Sequence, residues 1–218
     1  MTALVDANGN AFVERPQPGV LVIDDFSQYA HAARQSALEA GFGTWRPSKG
    51  EVGSSVYDGM GFWGDHAMLL LPLNWHMGVG IIPNSMFFRV TNADTEAAYV
   101  HSDREMGAYT AIVYLSDHDD ERFGTGFYRN KRTGETRMRS FAELRTVPEE
   151  FERLKAEMTG GSADDWEETS FVRGKFNRAV IFEAPLFHAR SPKHGYASTP
   201  EDGRLVWACH FTFMRGPQ

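Results

Sequence analysis

Residues 204–213 read RLVWACHFTF, the last of a succession of β-like runs that includes SMFFRV (85–90), AAYVHSD (97–103), YTAIVYLSD (109–117), GTGFYRN (124–130), ETRMR (135–139) and NRAVIFEA (177–184). Each is rich in β-branched and aromatic residues, and turn-formers separate most of them: Asn92-Ala93-Asp94, residues 117–120, Thr133-Gly134 and residues 200–203. Many strands with almost no helix between them predict a mainly β fold with antiparallel sheets, a sandwich or barrel, and not a parallel α/β sheet. One helical insertion interrupts the series at about 141–158. There Phe141, Leu144, Val147, Phe151, Leu154 and Met158 recur every three or four residues, with a break expected before Pro148.

Upstream, GVLVIDDF (19–26) predicts a first strand. Ser27 is placed to cap a helix ending near Ala40, with Tyr29, Ala33, Ala37 and Ala40 on one face and Gly41 as the stop. A short helix is expected over 66–71, ended or kinked by Pro72. The acidic stretch 160–169 reads as solvated loop. With 218 residues the chain is expected to be a single domain (1–218), residues 1–84 giving helical and loop support to a core over 85–213.

The sequence carries a net charge of −7, which gives no reason to expect general nucleic-acid or acidic-membrane binding. Residues 1–19 lack a basic start followed by an apolar core, and no stretch has the length of a membrane span, so a soluble cytoplasmic protein is expected. The one cysteine, Cys209, excludes an internal disulfide and a cysteine-cluster metal site, and its alternating context predicts a buried strand residue.

Chemistry enters at His101-Ser102-Asp103. Positions two apart on a strand face one side, so the imidazole and carboxylate can converge on an ion while Ser102 points away. A second histidine would complete two nitrogens and one oxygen on one face of an octahedral ion, leaving the open positions that oxygen-activating Fe(II) chemistry requires. His188, after the apolar run 177–183, is the best candidate. The plainer alternative is an ordinary surface hydrogen bond between His101 and Asp103. Arg204 opens the last strand; Val206, Ala208, His210 and Thr212 share its side and are less bulky near it, as a cavity wall needs to be. Tyr114 adds a phenol, and an arginine fork with a phenol suits a distal carboxylate. Alone, Arg204 also reads as a solvated charge beside its turn.

In this order, YVHSD, YTAIVYLSD, GTGFYRN, NRAVIFEAPLFHARS and GRLVWACHFTF resemble the core of the Fe(II)/2-oxoglutarate-dependent dioxygenases, especially the prolyl-hydroxylase-like branch, over roughly residues 87–213. The resemblance implies a double-stranded β-helix, the jelly roll of cupin-like barrels, with flanking helices. It further implies that His101, Asp103 and His188 bind iron and that Tyr114 and Arg204 hold the 5-carboxylate of 2-oxoglutarate. The implied activity is that of a hydroxylase using O2, releasing succinate and CO2 and acting on an unidentified substrate. Where relatives often read Gly-Gly-x-Thr, this chain has Gly124-Thr125-Gly126-Phe127. The long gap after His188 leaves Arg190 or Lys193 as alternative anchors. His210 reads either as lining the co-substrate pocket or as a satisfied core histidine. Residues 129–139 form a basic hairpin, read as solvated or as receiving an acidic substrate. The rivals are a cupin-like metalloenzyme without 2-oxoglutarate, a His118-Asp119-Asp120 phosphohydrolase site, set aside because it falls in a turn, and a metal-free jelly-roll binding module.

Overall fold

The computed structural model describes residues 13–45, 57–61, 65–91, 99–117, 121–160, 163–192 and 199–214. Along the chain run β1 (Val13–Glu14), β2 (Val20–Ile23), α1 (Ala30–Ala40), β3 (Gly43–Trp45), β4 (Tyr57–Gly61), α2 (Ala67–Met77), β5 (Ile81–Thr91), β6 (Tyr109–Tyr114), β7 (Gly124–Asn130), α3 (Phe141–Leu144), α4 (Pro148–Gly160), β8 (Trp166–Arg173), β9 (Ala179–Glu183), β10 (His188–Ser191) and β11 (Arg204–Phe213). Among the described residues the strands form an eight-stranded sheet, β1-β2-β9-β6-β11-β5-β4-β3, and a three-stranded sheet, β10-β7-β8. Every pairing is antiparallel, as expected.

Alternation divides the large sheet into two faces. Phe88 and Val90 of β5, Ala111 and Val113 of β6, Ile181 of β9 and Leu205, Trp207 and Phe211 of β11 turn outward and bury Ala30, Ala33 and Ala37 of α1 with Leu69 and Leu73 of α2. Val22, Tyr114, Val180, Phe182 and Val206 turn inward against Phe127 and Val172 of the small sheet. A third cluster, Met138, Leu144, Leu154, Trp166 and Phe187, seats α3 and α4 on the far side of the small sheet. Cys209 is fully buried on the helix-facing side.

Several expectations are corrected. The second helix does not end at Pro72 but continues to Met77. A proline at that position has no N–H for the carbonyl of Met68, four residues back, and the Ser27 hydroxyl donates to that oxygen instead, at 2.8 Å. Ser27 therefore is not the N-cap of α1, which starts at Ala30; Tyr29 and Ala40 lie exposed, and the buried face is Ala30, Ala33 and Ala37. The acidic stretch is not all loop: β8 begins at Trp166, buried against Phe187, and its charges pair across the strands, Glu167 with Arg129 and Glu168 with the Tyr128 hydroxyl. The insertion is broken before Pro148, as expected, into α3 and α4. Neither 97–103 nor 135–139 forms a ladder among its described residues; each contributes one isolated bridge, His101 to His188 and Arg137 to Leu186. The basic hairpin stays solvated, as one of its two readings expected, with Asn130 accepting from the backbone of Arg132 and Thr133 and the exposed Arg132 paired with Glu150 and Glu157. Among the described residues no helix is long and apolar enough to cross a membrane.

Candidate metal centre

The bridge between His101 and His188 is reciprocal: each backbone N–H donates to the other's carbonyl at 2.9 Å. Side chains opposite each other in such a pair share a face, and the two imidazole centroids lie 4.4 Å apart. Asp103, two residues on, is fixed by its N–H to the carbonyl of Ala184 at 2.9 Å, while Ser102 between them turns its hydroxyl to the carbonyls of Ala184 and Pro185. The result is a cluster of His101, Asp103 and His188 whose ligand atoms all lie within 4.8 Å of one another. Asp103 Oδ1 is 3.6 Å from His101 Nε2, and Oδ2 is 3.2 Å from His188 Nε2. His188 is buried, and the side chain of His101 is 49% exposed.

Hydrogen bonding sets the tautomers. A carbonyl can only accept, so the contacts of His101 Nδ1 with Tyr99 O and of His188 Nδ1 with Leu186 O, both 3.0 Å, place a proton on Nδ1 in each ring. Nε2 is thus the nitrogen of each ring that faces the cluster and could ligate, the arrangement that metal-binding histidines use, and at His188 a metal would displace the proton that Nε2 directs to Asp103 Oδ2. The surrounding protein mass, with the charge of His188 adding to it and Asp103 opposing it, depresses His101 to about 4. Burial opposes the charge of Asp103, but His188 and hydrogen bonds from His188 and His210, with His101, outweigh it and hold the carboxyl well below the usual range. Burial likewise pulls His188 down, and the Asp103 carboxylate overcomes it and raises the pKa. Two imidazole nitrogens and an ionised carboxylate fit a divalent metal ion of the first transition row.

Two neighbours of the carboxylate carry no local sequence signal of that contact. Thr110 Oγ1 donates to Asp103 Oδ2 at 2.9 Å, and His210 Nε2 approaches the same oxygen at 3.3 Å while its Nδ1 meets Ser85 Oγ at 2.7 Å. His210 does face inward with Arg204, but it stands beside Asp103. Ser85, His210 and Thr110 form one register row across β5, β11 and β6, which only the strand pairing reveals.

Arg204 lies at the other end of the inner face of β11, beyond Ala208 and Val206, and is buried. Its guanidinium is 3.4 Å from the Gly124 carbonyl and stands over the rings of Tyr114 (5.6 Å) and Phe123 (5.3 Å). The buried Tyr114 hydroxyl is 2.7 Å from Thr125 Oγ1, and burial raises its pKa although Arg204 works against that. The structure thus brings Tyr114, Thr125 and Arg204 together. Arg190 lies opposite Thr125 in the β10–β7 register, two residues from His188 on the same strand face. Lys193 and the His118-Asp119-Asp120 triplet lie outside the described residues.

Among solved structures the chain resembles proteins of one fold. AviO1 from Streptomyces viridochromogenes Tue57 superposes with a TM-score of 0.51 at 12% identity, covering 93% of each chain. The non-heme alpha ketoglutarate dependent epimerase SnoN from nogalamycin biosynthesis gives 0.52 at 14%, over 89% of this chain and 76% of that one. HygX from Streptomyces hygroscopicus, solved with nickel, 2-oxoglutarate and hygromycin B bound, gives 0.50 at 14%, over 88% and 82%. At these identities the likeness is one of fold: two facing antiparallel sheets of the cupin-like kind. Residues 90–211, more than half of the chain, match a family of unknown function (DUF6445), and the chain belongs to that family. No curated protein matches the sequence.

Proposed function

We propose that this chain is a non-haem Fe(II)- and 2-oxoglutarate-dependent oxygenase of the prolyl-hydroxylase-like branch, a single cytoplasmic domain whose two sheets are the halves of a double-stranded β-helix. The observation that carries the proposal is the pair of Nδ1 protons tied to Tyr99 and Leu186 carbonyls, which turns two Nε2 atoms onto the Asp103 carboxylate. His101, Asp103 and His188 are the metal ligands and leave the rest of the ion's coordination sphere to smaller molecules. Arg204 takes the distal carboxylate of 2-oxoglutarate by a charge-assisted hydrogen bond. Tyr114, held by Thr125, orients it. Val206, Ala208 and Ile112, on the same inner face, keep water from the space between anchor and metal. Bound Fe(II) and 2-oxoglutarate supply O2 activation, with release of succinate and CO2 and hydroxylation of an unidentified substrate.

His210, with Nδ1 on Ser85 and Nε2 beside Asp103 Oδ2, lies outside the cluster of His101, Asp103 and His188, which weighs against a cupin-like site with an extra histidine ligand. The test is anaerobic titration of the Fe(II)-loaded protein with 2-oxoglutarate, followed by the visible charge-transfer band of the chelate. A band in the wild type that is absent from His101→Ala is the expected result. Bound metal with no band refutes 2-oxoglutarate use, and no metal uptake refutes the centre itself.

A further inference from the structure

We infer that His210, held by Ser85, is a positioning residue that orients the Asp103 carboxylate for metal binding, an inference that rests on the metal site proposed above. An ionised carboxylate only accepts, so the 3.3 Å approach of His210 Nε2 to Asp103 Oδ2 makes Nε2 the protonated nitrogen. Nδ1 then accepts the Ser85 hydroxyl proton at 2.7 Å. This is the reverse of His101 and His188, whose Nδ1 protons go to carbonyls and whose Nε2 atoms face the cluster. His188 Nε2 also lies 3.2 Å from the same oxygen, so what sets His210 apart is its Nδ1 partner, a hydroxyl that can donate to it where the other two rings meet carbonyls that only accept.

Backbone bonds place Asp103 but do not orient its carboxylate: the residue stands outside the strand ladders, its N–H donating to Ala184 and its carbonyl accepting from Met106. The eight-stranded sheet supplies what is missing from across the interior. His210 pairs with Ser85 on one side and Thr110 on the other, just before the register of β11 against β5 shifts between His210 and Phe211. From that row Thr110 Oγ1 and His210 Nε2 both reach Oδ2. Oδ1 is left facing His101 Nε2 at 3.6 Å, outside hydrogen-bonding distance. Oδ2 also lies 3.2 Å from His188 Nε2, so the two donors fix the rotation of the carboxylate and leave Oδ1 turned toward His101. Chelation through both oxygens, which would consume a position the co-substrate needs, requires Oδ2 to give up at least one of these contacts.

The test uses Co(II), which reports its coordination by visible absorption, with affinities from equilibrium dialysis of the full chain. His210→Phe keeps the ring and removes the donor. It is expected to bind Co(II) about 10- to 100-fold more weakly, the range found when partners of metal ligands are lost, with band intensities altered by the changed carboxylate geometry. His210→Gln places an amide N–H near the position of Nε2 and is expected to return to within about 3-fold of wild type, with the wild-type spectrum. Ser85→Ala, which preserves the donor but frees the ring, should fall between the two, and it carries the test if His210→Phe does not fold. Wild-type affinity and spectrum in both His210→Phe and Ser85→Ala overturn the inference, as does equal loss in the Phe and Gln variants, which would make His210 a packing residue. A wild-type protein that takes up no Co(II) overturns the metal site itself, and this inference with it.

Discussion

Replacing Arg204 by Met separates two roles of that side chain. The guanidinium is buried, 4% exposed, against the Gly124 carbonyl and the faces of Tyr114 and Phe123. Methionine loses those contacts, about 0.5–2 kcal/mol for each ring face, but it also relieves the cost of burying a cation, and exchanges of this kind are often neutral or favourable. The ligand-free protein is therefore expected to change by no more than about 2 kcal/mol. Binding of 2-oxoglutarate fares differently, because deleting one partner of a buried charge pair costs about 2–5 kcal/mol. At a concentration near 100 times the wild-type Kd, 2-oxoglutarate stabilises the wild type by about 2.7 kcal/mol, or about 5–11 °C in Tm for a chain of this size. Even a 2 kcal/mol loss, about 30-fold in Kd, leaves about 0.9 kcal/mol, and the shift shrinks to about 2–4 °C. Thermal unfolding of the Mn(II)-loaded proteins with and without 2-oxoglutarate measures both quantities. A full ligand shift in Arg204→Met would refute the anchor assignment and direct attention to Arg190, across from Thr125.

Three further predictions concern the frame around the site. Ser27→Ala should cost about 1–3 kcal/mol, since it strands the Met68 carbonyl that Pro72 cannot serve; in a Pro72→Ala background the helix supplies its own donor, so denaturant unfolding of the double-mutant cycle should show coupling of at least about 0.5 kcal/mol, and additivity would contradict this account. Asp24 accepts from Arg178 Nε at 2.5 Å and from Nη2 at 2.9 Å, which chiefly accounts for its lowered pKa. The unfolded chain therefore binds the extra proton, and the stability from this pair is complete above the ordinary value of 3.8 and lost as the pH falls through the lower folded value. Asp24→Asn should cost about 1–2 kcal/mol at neutral pH and flatten the acid limb of a Tm-against-pH curve. Burial pushes the Cys209 thiol up to about 12, so an aromatic disulfide reagent at pH 8 should label it only in denaturant; rapid labelling of the native protein would contradict its place in the core.

What the sequence discloses follows the reach of each signal. The alternation in RLVWACHFTF assigns Arg204, Val206, Ala208 and His210 to one face, and the β11 side chains divide as that pattern requires, with Trp207, Cys209 and Phe211 against the helices. The His-x-Asp spacing works because both residues sit on an extended segment, even though that segment earns only a single bridge. Local patterns fail where a distant partner decides. Pro72 marks a helix end only until the Ser27 hydroxyl, from a loop 41 residues away, reaches the Met68 carbonyl. The acidic start of β8 resembles a loop because its charges are answered by β7 across the pairing and not by neighbours in sequence. The contacts of Thr110 and His210 with Asp103 are hidden for the same reason, since a register row spanning β5, β11 and β6 is a property of pairing.

The two sheets are secured in different ways, and the candidate centre spans that difference. The large sheet pairs eight strands and is backed by α1 and α2, and its inner face offers Ser85, Thr110, Tyr114, Arg204 and His210. The small sheet presents His188 at the start of a four-residue strand, with His101 and Asp103 beyond it on a segment joined by one bridge. Ligands from the lightly laddered edge meet donors from the rigid face, and Asp103 is the residue at which both converge. An ion held by His101, Asp103 and His188 would thus couple the small sheet's edge, through Oδ2 and its two donors, to the large sheet. Metal binding and the ordering of that edge become one equilibrium, which is the general relation between a metal site and the chain that folds around it.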